Sequence, residues 1–442
     1  MSEVFDKTES VCPVCLRVIE ARMTVGEDGF IHMEKTCPEH GDFDALVWEG
    51  SLAEYLAWDT APGEKEQPPA AAPTRHGCPY DCGLCRAHER PGCCVLLELT
   101  NRCNLRCPVC FAAAGERAPR DLRMDEIAAQ YDMLMARGGP FNIQLSGGEP
   151  TVRDDLPEIM ALGMEKGFTF FQINTNGLRL AQEEGYAEQL VGAGASCVFL
   201  QFDGLQDSTY EALRGRPLLQ VKKKAMENCR RAGLPVVLVP TVVPGVNDDE
   251  LGDILLFALK HMPNVRGVHF QPVSYFGRCD LEKPEIRLTI PRVLQEIELQ
   301  TGGVMQAGHF GGGGAESAYC SFHASYMRRQ NGALRALPRR QSQCCCTRSA
   351  DSRDFVARQW GARGPEPGAE LDMTETSALD RFLEQAGENT FTVSGMVFQD
   401  AWNLDLRRLR RCYICEVDPE RGMVPFCAYN LTDVNGRALY RK

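Results

Sequence analysis

Three cysteines, Cys103, Cys107 and Cys110, stand at C-x3-C-x2-C spacing. Thiolates at this spacing on one tight loop can hold three corners of a [4Fe–4S] cluster, and the fourth iron is then left without a protein ligand. An iron with an open position can bind a small molecule and act on it, whereas four-cysteine ligation usually serves electron transfer or structure. A zinc knuckle, the alternative, would need a fourth Cys or His close by, and none follows before residue 197.

The same spacing occurs a second time, in Cys78, Cys82 and Cys85. No strand-like run precedes this set, and a further thiol follows at Cys93 or Cys94. We therefore predict a closed auxiliary [4Fe–4S] cluster held by Cys78, Cys82, Cys85 and Cys93. A zinc site is the alternative.

Near the N-terminus, Cys12-Pro-Val-Cys15 is followed by Cys37-Pro-Glu-His40. CxxC combined with CxxH is the usual spacing for one tetrahedral ion, either zinc or a rubredoxin-like iron. These four residues are the predicted ligands of a mononuclear metal. Whether the ion is structural or redox-active stays open.

A further group of cysteines lies toward the C-terminus, at 320, 344–346, 412, 415 and 427. We expect Cys320, Cys412 and Cys427, with Cys415 or one thiol of the 344–346 triplet, to hold a second auxiliary cluster. Three consecutive cysteines cannot all ligate one cluster without backbone strain. The remaining triplet thiols are expected to be reactive, with Cys346 as a candidate catalytic thiol. Cysteines that carry no metal are the alternative.

Composition limits the class of protein. The chain has 442 residues, 21 cysteines and a formal net charge of −12. The negative charge argues against a nucleic-acid partner, and no apolar run approaches the ~20 residues of a transmembrane helix. Since no export signal is visible, the clustered cysteines predict metal ligands in a cytoplasmic, reducing setting rather than disulfides.

The elements that must position these residues follow a regular alternation. Strand-like runs occur at 95–100, 141–145, 168–173, 196–202, 236–242 and 265–271. Amphipathic stretches lie between them, at 124–136, 154–166, 179–192, 218–232 and 249–261. Such alternation predicts parallel βαβ units, hence an α/β fold built on a partial (β/α)6 TIM-like barrel with ligands at the C-terminal strand ends. The expected segments are a metal-ribbon module at 1–58, a linker at 59–75, an auxiliary-cluster lead-in at 76–94, the barrel at 95–280 and a C-terminal auxiliary-cluster and substrate region at 281–442.

The run Gly147-Gly148-Glu149-Pro150 ends the second strand-like run. Together with the Cys103–Cys110 loop it resembles the radical S-adenosylmethionine (SAM) superfamily, in which SAM chelates the open iron. The resemblance implies that the two glycines let backbone carbonyls approach the SAM ammonium group and that Glu149 orders the strand end. A simple turn is the alternative.

The same resemblance implies a set of SAM-contacting residues at later strand ends. They are Asn174, Asn176, Gln201, Asp203, Arg214, Thr241 and Gln271. The two asparagines are expected at the ribose, and Gln201 and Asp203 near the methionine carboxylate and ribose. Arg214 is expected to pair with that carboxylate, while Thr241 and Gln271 border the adenine. For residues beyond the third strand, ordinary strand-end polar groups are the alternative.

Longer segments narrow the resemblance. They are CPVC…CPEHG, GCPYDCGLCRAH, LLELTNRCNLRCPVCFAAAG and the stretch from Gln399 to Asn430. They resemble the archaeal tetraether lipid synthase group and, more closely, a related bacterial radical SAM (seleno)protein group. Resemblance to the lipid synthase group implies three [4Fe–4S] clusters, a mononuclear metal and carbon–carbon coupling of lipid tails. The triplet at 344–346 departs from the lipid synthase pattern and is similar to the position of selenocysteine in the bacterial group.

These observations predict a radical SAM enzyme. It would cleave SAM reductively to a 5′-deoxyadenosyl radical that abstracts hydrogen from an unactivated carbon. A small-molecule or lipid-like substrate, C–C or C–S bond formation and an external low-potential electron donor are expected. A radical SAM peptide maturase or methylase is the alternative within the superfamily, and an iron–sulfur electron carrier is the non-enzyme alternative.

Overall fold

The N-terminal residues form a small antiparallel sheet. The computed structural model describes residues 3–59, 65–68, 73–115, 121–279, 287–313, 316–329, 331–338, 349–361 and 389–441. The first strands are β1 Glu3–Val11, β2 Val18–Val25, β3 Ile31–Cys37 and β4 Gly41–Trp48, paired in chain order. Alternate residues of β3 are buried, as expected where one face of a sheet is covered. Helix α1, Leu52–Trp58, follows and begins with a Ser51–Glu54 capping box.

The predicted barrel strands are present and pair in parallel. The next strands are β5 Cys94–Glu98, β6 Val109–Cys110, β7 Asn142–Ser146, β8 Phe171–Thr175, β9 Cys197–Gln201, β10 Val236–Val239, β11 Thr241–Val242, β12 Val265–Pro272 and β13 Arg278–Cys279. The helices among them are α2 Met124–Ala136, α3 Leu156–Glu165, α4 Leu178–Gln182, α5 Tyr186–Gly192, α6 Asp207–Arg214, α7 Leu219–Ala232 and α8 Leu251–Lys260. Strands β5, β7, β8, β9, β10 and β12 are parallel neighbours in this order, which confirms the predicted α/β architecture.

The C-terminal part of the chain extends this sheet at both edges, which the sequence patterns did not predict. Its elements are α9 Ile290–Gln300, β14 Ser321–Arg328, β15 Leu334–Ala336, α10 Ser349–Trp360, β16 Thr390–Met396, α11 Leu406–Arg410, β17 Ile414–Asp418, β18 Gly422–Pro425 and α12 Phe426–Tyr429. Strand β16 pairs in parallel with β12, and β17 pairs in parallel with β5. The antiparallel strands β14, β15 and β18 complete a 12-stranded sheet.

Two helix expectations differ from the structure. The predicted helix at 179–192 is divided into α4 and α5, because Gly185 between them adopts φ +79°, a left-handed conformation that interrupts a helix. Helix α6 was not predicted, since the sequence stretch is short and polar, and it carries Arg214.

The barrel sheet is covered by helices on its outer face, and its two ends differ. Outward-facing residues such as Val95, Leu97 and Ile143 are fully buried under the helices. At the amino ends of the strands, α10 lies across the barrel, where the backbone carbonyl of Arg353 accepts a hydrogen bond from Asn142 Nδ2 at 2.9 Å. The carboxyl ends of the strands, which carry the predicted site, lie at the other end.

The N-terminal sheet packs on the C-terminal segment. Buried Lys35 on β3 donates to the carbonyl oxygen of Ala401 at 2.8 Å, and Thr8 donates to Asp405 at 2.7 Å. Arg407 pairs with Asp6 at 2.7 Å. No helix in the described ranges is both long and apolar enough to cross a membrane.

Candidate active site and cysteine centres

The loop that carries Cys103, Cys107 and Cys110 leaves the carboxyl end of β5. Its backbone lies against the loop after β7, where the amide of Gly148 donates to Thr100 at 2.8 Å and that of Glu149 donates to Arg102 at 2.9 Å. A Cβ at Gly148 would clash with the carbonyl oxygen of Arg102, and one at Gly147 (φ +123°) with that of Thr100. The structure thus gives the two glycines a role in seating the cysteine loop.

Glu149 joins the ends of β7 and β8. Its fully buried carboxylate accepts hydrogen bonds from the amide and hydroxyl of Thr151, from Thr175 Oγ1 at 2.6 Å and from the amide of Asn176 at 2.7 Å. Burial raises the pKa of Glu149, and these hydrogen bonds oppose that rise. The predicted ordering role of Glu149 fits these contacts.

Asn176 connects this carboxylate to the cysteine loop and to a buried lysine. Its Nδ2 donates to Asn104 Oδ1 at 2.7 Å, between Cys103 and Cys107 in the sequence. Lys222 on α7 is fully buried and donates to the carbonyl oxygen of Asn176 at 2.5 Å and to Gln201 Oε1 at 3.0 Å. The sequence does not single out Lys222, because nothing in it distinguishes this lysine from the two exposed lysines that follow.

The contacts of Glu149, Asn176, Lys222 and Gln201 form a polar belt along the strand ends, and Asp203 and Arg214 continue it. Gln201 donates to Asp203, and Arg214 holds Asp203 in a buried two-bond ion pair at 2.6 and 2.7 Å. Arg214 also donates to Thr241 Oγ1 at 2.9 Å and to the carbonyl oxygen of Val109 at 3.1 Å. The guanidinium of Arg214 therefore donates to acceptors of the protein itself, and it anchors the cysteine loop as well as the strand ends.

The three loop thiols fit the donor set of a [4Fe–4S] cluster with one open iron. Each thiol is free and partly exposed. Burial raises the pKa of Cys103 to about 12 and also raises the pKa of Cys107. The Arg214 guanidinium beside Cys107 opposes this rise. A thiolate bound to iron is deprotonated, and a neighbouring guanidinium suits its negative charge. The donor chemistry of the loop therefore agrees with the predicted cluster.

Strand β13 pairs with the cysteine loop. Arg278 lies opposite Cys110 and Cys279 opposite Val109, and Arg278 donates to the carbonyl oxygen of Cys107 at 2.7 Å. Cys197 and Cys229 are buried in the barrel, whereas Cys279 is only half-buried, because its strand lies on the loop and outside the barrel core.

The inner face of the barrel is lined by polar residues. Gln144 and Gln172 face each other across β7 and β8, and Asn174 bonds to both. Across β12, β16 and β14, His269, Ser394 and His323 stand side by side, with His269 Nδ1 2.8 Å from Ser394 Oγ. The side chains of this row and of Asn174 are partly exposed, so their polar groups are accessible.

Thr241 and Gln271 pair directly between β11 and β12 at the carboxyl edge of the sheet. This position is the one expected for residues bordering a bound adenine. Burial lowers the pKa of nearby His269 to about 4. A neutral imidazole offers one donor and one acceptor toward the interior.

The N-terminal metal ligands converge as predicted. The ligand atoms of Cys12, Cys15, Cys37 and His40 all lie within 4.8 Å of one another. Two knuckles present them, one between β1 and β2 and one between β3 and β4. Three sulfurs and one imidazole nitrogen at these separations fit one tetrahedral ion.

The second C-x3-C-x2-C set also gathers its thiols. Hydrogen bonding with Cys82 lowers the pKa of Cys78. Hydrogen bonding with Cys78, then burial and the charges of Cys78 and Cys85, raises the pKa of Cys82. Cys93 lies beside Cys94, with 3.7 Å between their sulfurs. Its assignment as the fourth ligand stays a prediction.

The C-terminal cysteines converge from distant parts of the chain. Burial, followed by the charges of Cys412 and Cys320, raises the pKa of Cys427, which places these three thiols in mutual electrostatic range. Cys415 is buried in β17, close enough to Cys412 to be affected by its charge. The predicted trio thus lies in one region of the fold, and its role as a ligand set stays a prediction. Cys346 lies outside the described residues.

Two family profiles match the chain. The profile of the Radical SAM superfamily matches residues 97–258, which hold β5 to α8 and the cysteine loop. The profile described as the HMPTM N-terminal zinc ribbon domain matches residues 4–49, which hold the four-stranded sheet and its metal ligands.

Curated relatives share part of this organisation. The chain is 43% identical over 302 residues to a 7,8-dihydro-6-hydroxymethylpterin dimethyltransferase of Methanocaldococcus jannaschii, covering 67% of this chain and 59% of the relative. It is 31% identical over 194 residues to a GTP 3′,8-cyclase of Listeria monocytogenes, covering 43% of this chain and 57% of the relative. The chain thus spans less than two thirds of the relatives it matches.

Among solved structures, SuiB of Streptococcus suis bound to its precursor peptide aligns with a TM-score of 0.41 and 15% identity, over 48% of this chain and 45% of that chain. The narrower resemblance to the tetraether lipid synthase group is not confirmed by the relatives found. The cysteine loop, the glycine-rich strand end and the matched profile establish the broader assignment: this chain belongs to the radical SAM superfamily.

Proposed function

We propose that this protein is a radical SAM enzyme that transfers methyl groups to a carbon of a small pterin-like heterocycle. The observation that carries the proposal is the continuous polar belt from Glu149 through Asn176, Lys222 and Asp203 to the cysteine loop. It joins successive strand ends around one point, where a cofactor and a substrate would meet.

Cys103, Cys107 and Cys110 would hold the cluster, and SAM would lie along the strand ends toward Thr241 and Gln271. When bound, the reduced cluster would supply the electron that cleaves one SAM to methionine and 5′-deoxyadenosine, the latter taking up the hydrogen from the substrate carbon. A second SAM would supply the methyl group and leave as S-adenosylhomocysteine, and the external donor would provide the electrons. The role of the protein is positional. Glu149 and Arg214 fix the cysteine loop to the sheet, so that the three thiols would hold the cluster at the carboxyl ends of the strands.

The barrel interior supports a flat, hydrogen-bonding substrate. Gln144, Asn174, His269 and Ser394 present amide, imidazole and hydroxyl groups, and the Phe199 ring lies 5.8 Å from that of His269. A pteridine ring has alternating donors and acceptors and a face for stacking, which such a surface can satisfy. An alkyl chain would offer no partner for the remaining hydrogen-bonding capacity of these polar groups, which disfavours the lipid-like substrate.

The name of the 43% identical relative, a dihydro-hydroxymethylpterin dimethyltransferase, supports the same class. So does the match of the N-terminal sheet to the zinc ribbon profile that bears the HMPTM label. The cysteines at 78–85 and 320–427 would hold auxiliary [4Fe–4S] clusters, and an external low-potential donor would reduce the enzyme.

The experiment is an anaerobic turnover assay of the reconstituted, reduced full chain with SAM and 6-hydroxymethyl-7,8-dihydropterin. We expect 5′-deoxyadenosine and a methylated pterin, both detected by mass spectrometry. The Cys103→Ala variant is the control for cleavage, and Cys229→Ala, a buried core thiol, is the matched control.

The two parts of the proposal can fail separately. If 5′-deoxyadenosine does not exceed the Cys103→Ala background, the radical SAM activity is refuted. If cleavage occurs but no pterin gains a methyl group, the substrate class is wrong. Parallel reactions with a lipid and with a peptide then test the two predicted rivals.

A further inference from the structure

Helix α11 lies between the two groups of auxiliary cysteines. The chain segment after Cys85 is joined to it, because the amide of Glu89 donates to the carbonyl oxygen of Arg410 at 2.7 Å. His88 Nε2 lies 2.7 Å from the carbonyl oxygen of Cys412. One short helix therefore borders both cysteine sets.

Arg408 on this helix extends toward the C-terminal trio. The residue is 8% exposed, and its Nη2 donates to the carbonyl oxygen of Tyr319 at 2.8 Å and to the sulfur of Cys320 at 3.4 Å. Its Nε is buried and finds no acceptor among the described residues. A buried guanidinium N–H without an acceptor is costly, so a further acceptor is expected at this place.

Arg410, two residues on, extends toward the other set. Its Nη2 pairs with Glu9 at 2.9 Å, and its guanidinium lies beside the Cys78 thiol. Its Nε is likewise buried without an acceptor in the described ranges. Arg407, one residue before Arg408, instead points to Asp6 and Thr8 and has 47% of its side chain exposed.

We propose that Arg408 is a positioning residue that donates N–H···S hydrogen bonds to an iron–sulfur cluster held by Cys320, Cys412 and Cys427, and that it raises the reduction potential of this cluster. Reduction adds negative charge to a cluster, so an adjacent cation and its hydrogen bonds stabilise the reduced state. Arg410 acts in the same way on the cluster at Cys78, Cys82 and Cys85. The inference rests on the auxiliary clusters of the proposed function and goes beyond them.

The experiment measures potentials and does not depend on turnover. The full chain carries Cys103→Ala, Cys107→Ala and Cys110→Ala to remove the signal of the SAM-binding cluster, and is reconstituted with iron and sulfide. EPR-monitored redox titrations compare this parent with Arg408→Met, Arg408→Lys and the matched surface variant Arg407→Met. A Cys320→Ala variant identifies which signal belongs to the C-terminal trio.

In Arg408→Met we expect the preference of the cluster for its reduced state to fall tenfold. This corresponds to a fall of ~59 mV in the reduction potential of a one-electron couple. Arg408→Lys keeps the charge and should retain part of this preference, and Arg407→Met should match the parent. An unchanged potential in an Arg408→Met protein that retains its iron overturns the inference.

Two further outcomes are decisive. If Arg408→Met does not bind iron, the reduction potential of Arg408→Lys tests the inference instead. A potential equal to that of the parent overturns the role of Arg408. If Cys320→Ala leaves both iron content and EPR signals unchanged, there is no cluster at the trio and the inference is wrong. SAM cleavage by the wild-type chain would be unaffected by that result, so the proposed function would be judged separately.

Discussion

At the scale of single residues, the strand-end belt depends on buried charges that have specific partners. Asp203 and Arg214 are 0% and 7% exposed and form a two-bond pair. Lys222 is equally buried, and its hydrogen bonds go to a carbonyl and an amide oxygen, with the Tyr210 ring 5.8 Å from its ammonium nitrogen. Burial lowers the pKa of Lys222 to about 8, although nearby Asp203 acts in the opposite direction.

Because of Lys222, the free energy of unfolding should change with pH in the alkaline range. Its pKa is lowered from 10.5 to about 8 in the folded chain, so the unfolded chain binds more protons between these values. The free energy of unfolding should rise over this window, by ~1.4 kcal/mol per pKa unit. Urea unfolding of wild type and Lys222→Met across the window measures the difference, with Lys224→Met as the exposed control. Parallel pH dependences for wild type and Lys222→Met would contradict this.

Replacing Arg214 by Lys should loosen the cysteine loop. Lysine keeps the charge but cannot make both bonds to Asp203 together with the bond to Val109. We expect a loss of about 3 kcal/mol in the free energy of unfolding and less iron per chain after reconstitution. The matched control, Arg230→Lys, alters an exposed pair with Glu227 and should cost less than ~1 kcal/mol. Equal losses in the two variants would refute the anchoring role.

At the scale of elements, the loops after β5 and β7 are fitted to each other through their backbones. The amides of Gly148 and Glu149 donate across this contact, and no room is left for a side chain at Gly148. The sheet thus sets the position of the cysteine loop through hydrogen bonds between main chains.

Gly148→Ala should therefore separate the two loops. We expect destabilisation of 1–3 kcal/mol, about the cost of overpacking, and loss of iron at the cysteine loop. Gly192→Ala, where an added methyl group meets open space, should be neutral or slightly stabilising. Thermal unfolding and iron analysis check both variants. A Gly148→Ala protein that behaves like Gly192→Ala would disprove the close packing of the two loops.

At the scale of the whole molecule, the metal ribbon and the C-terminal segment support each other. Lys35 and Thr8 of the ribbon bond to Ala401 and Asp405, next to α11. Tyr80, inside the Cys78–Cys85 loop, donates to the carbonyl oxygen of Leu16 at 2.7 Å. The ribbon, the first auxiliary loop and the C-terminal segment thus form a contiguous assembly on one side of the barrel.

Removing one ribbon ligand should test this support. Cys37→Ser should lose one mononuclear ion per chain, because the tetrahedral donor set is broken. The ribbon and its contacts to 401–410 should then become protease-sensitive. Metal analysis and limited proteolysis, with Cys229→Ser as the control for a buried core thiol, measure both effects. Full metal content in Cys37→Ser would contradict the assignment.

Much of the local organisation could be predicted from the sequence. Cys103–Cys110, the ribbon ligands and the six barrel strands follow from spacing and periodicity, because a short loop or a βαβ unit is determined by neighbouring residues. The bounds of α2 match the predicted stretch at 124–136. Arg214 was identified as a site residue, but its partner is the protein's own Asp203.

What only the tertiary structure decided concerns residues far apart in the chain. Strands β16 and β17 join opposite edges of the sheet, and Cys320, Cys412 and Cys427 come within electrostatic range of one another near Arg408. Lys222 is one of three consecutive lysines, and only packing determines which is buried. Sequence spacing fixes ligands that share a loop, whereas contacts across hundreds of residues depend on the energy of the whole packed fold. The sequence therefore determined the radical SAM loop, and the tertiary structure decided which residues surround it.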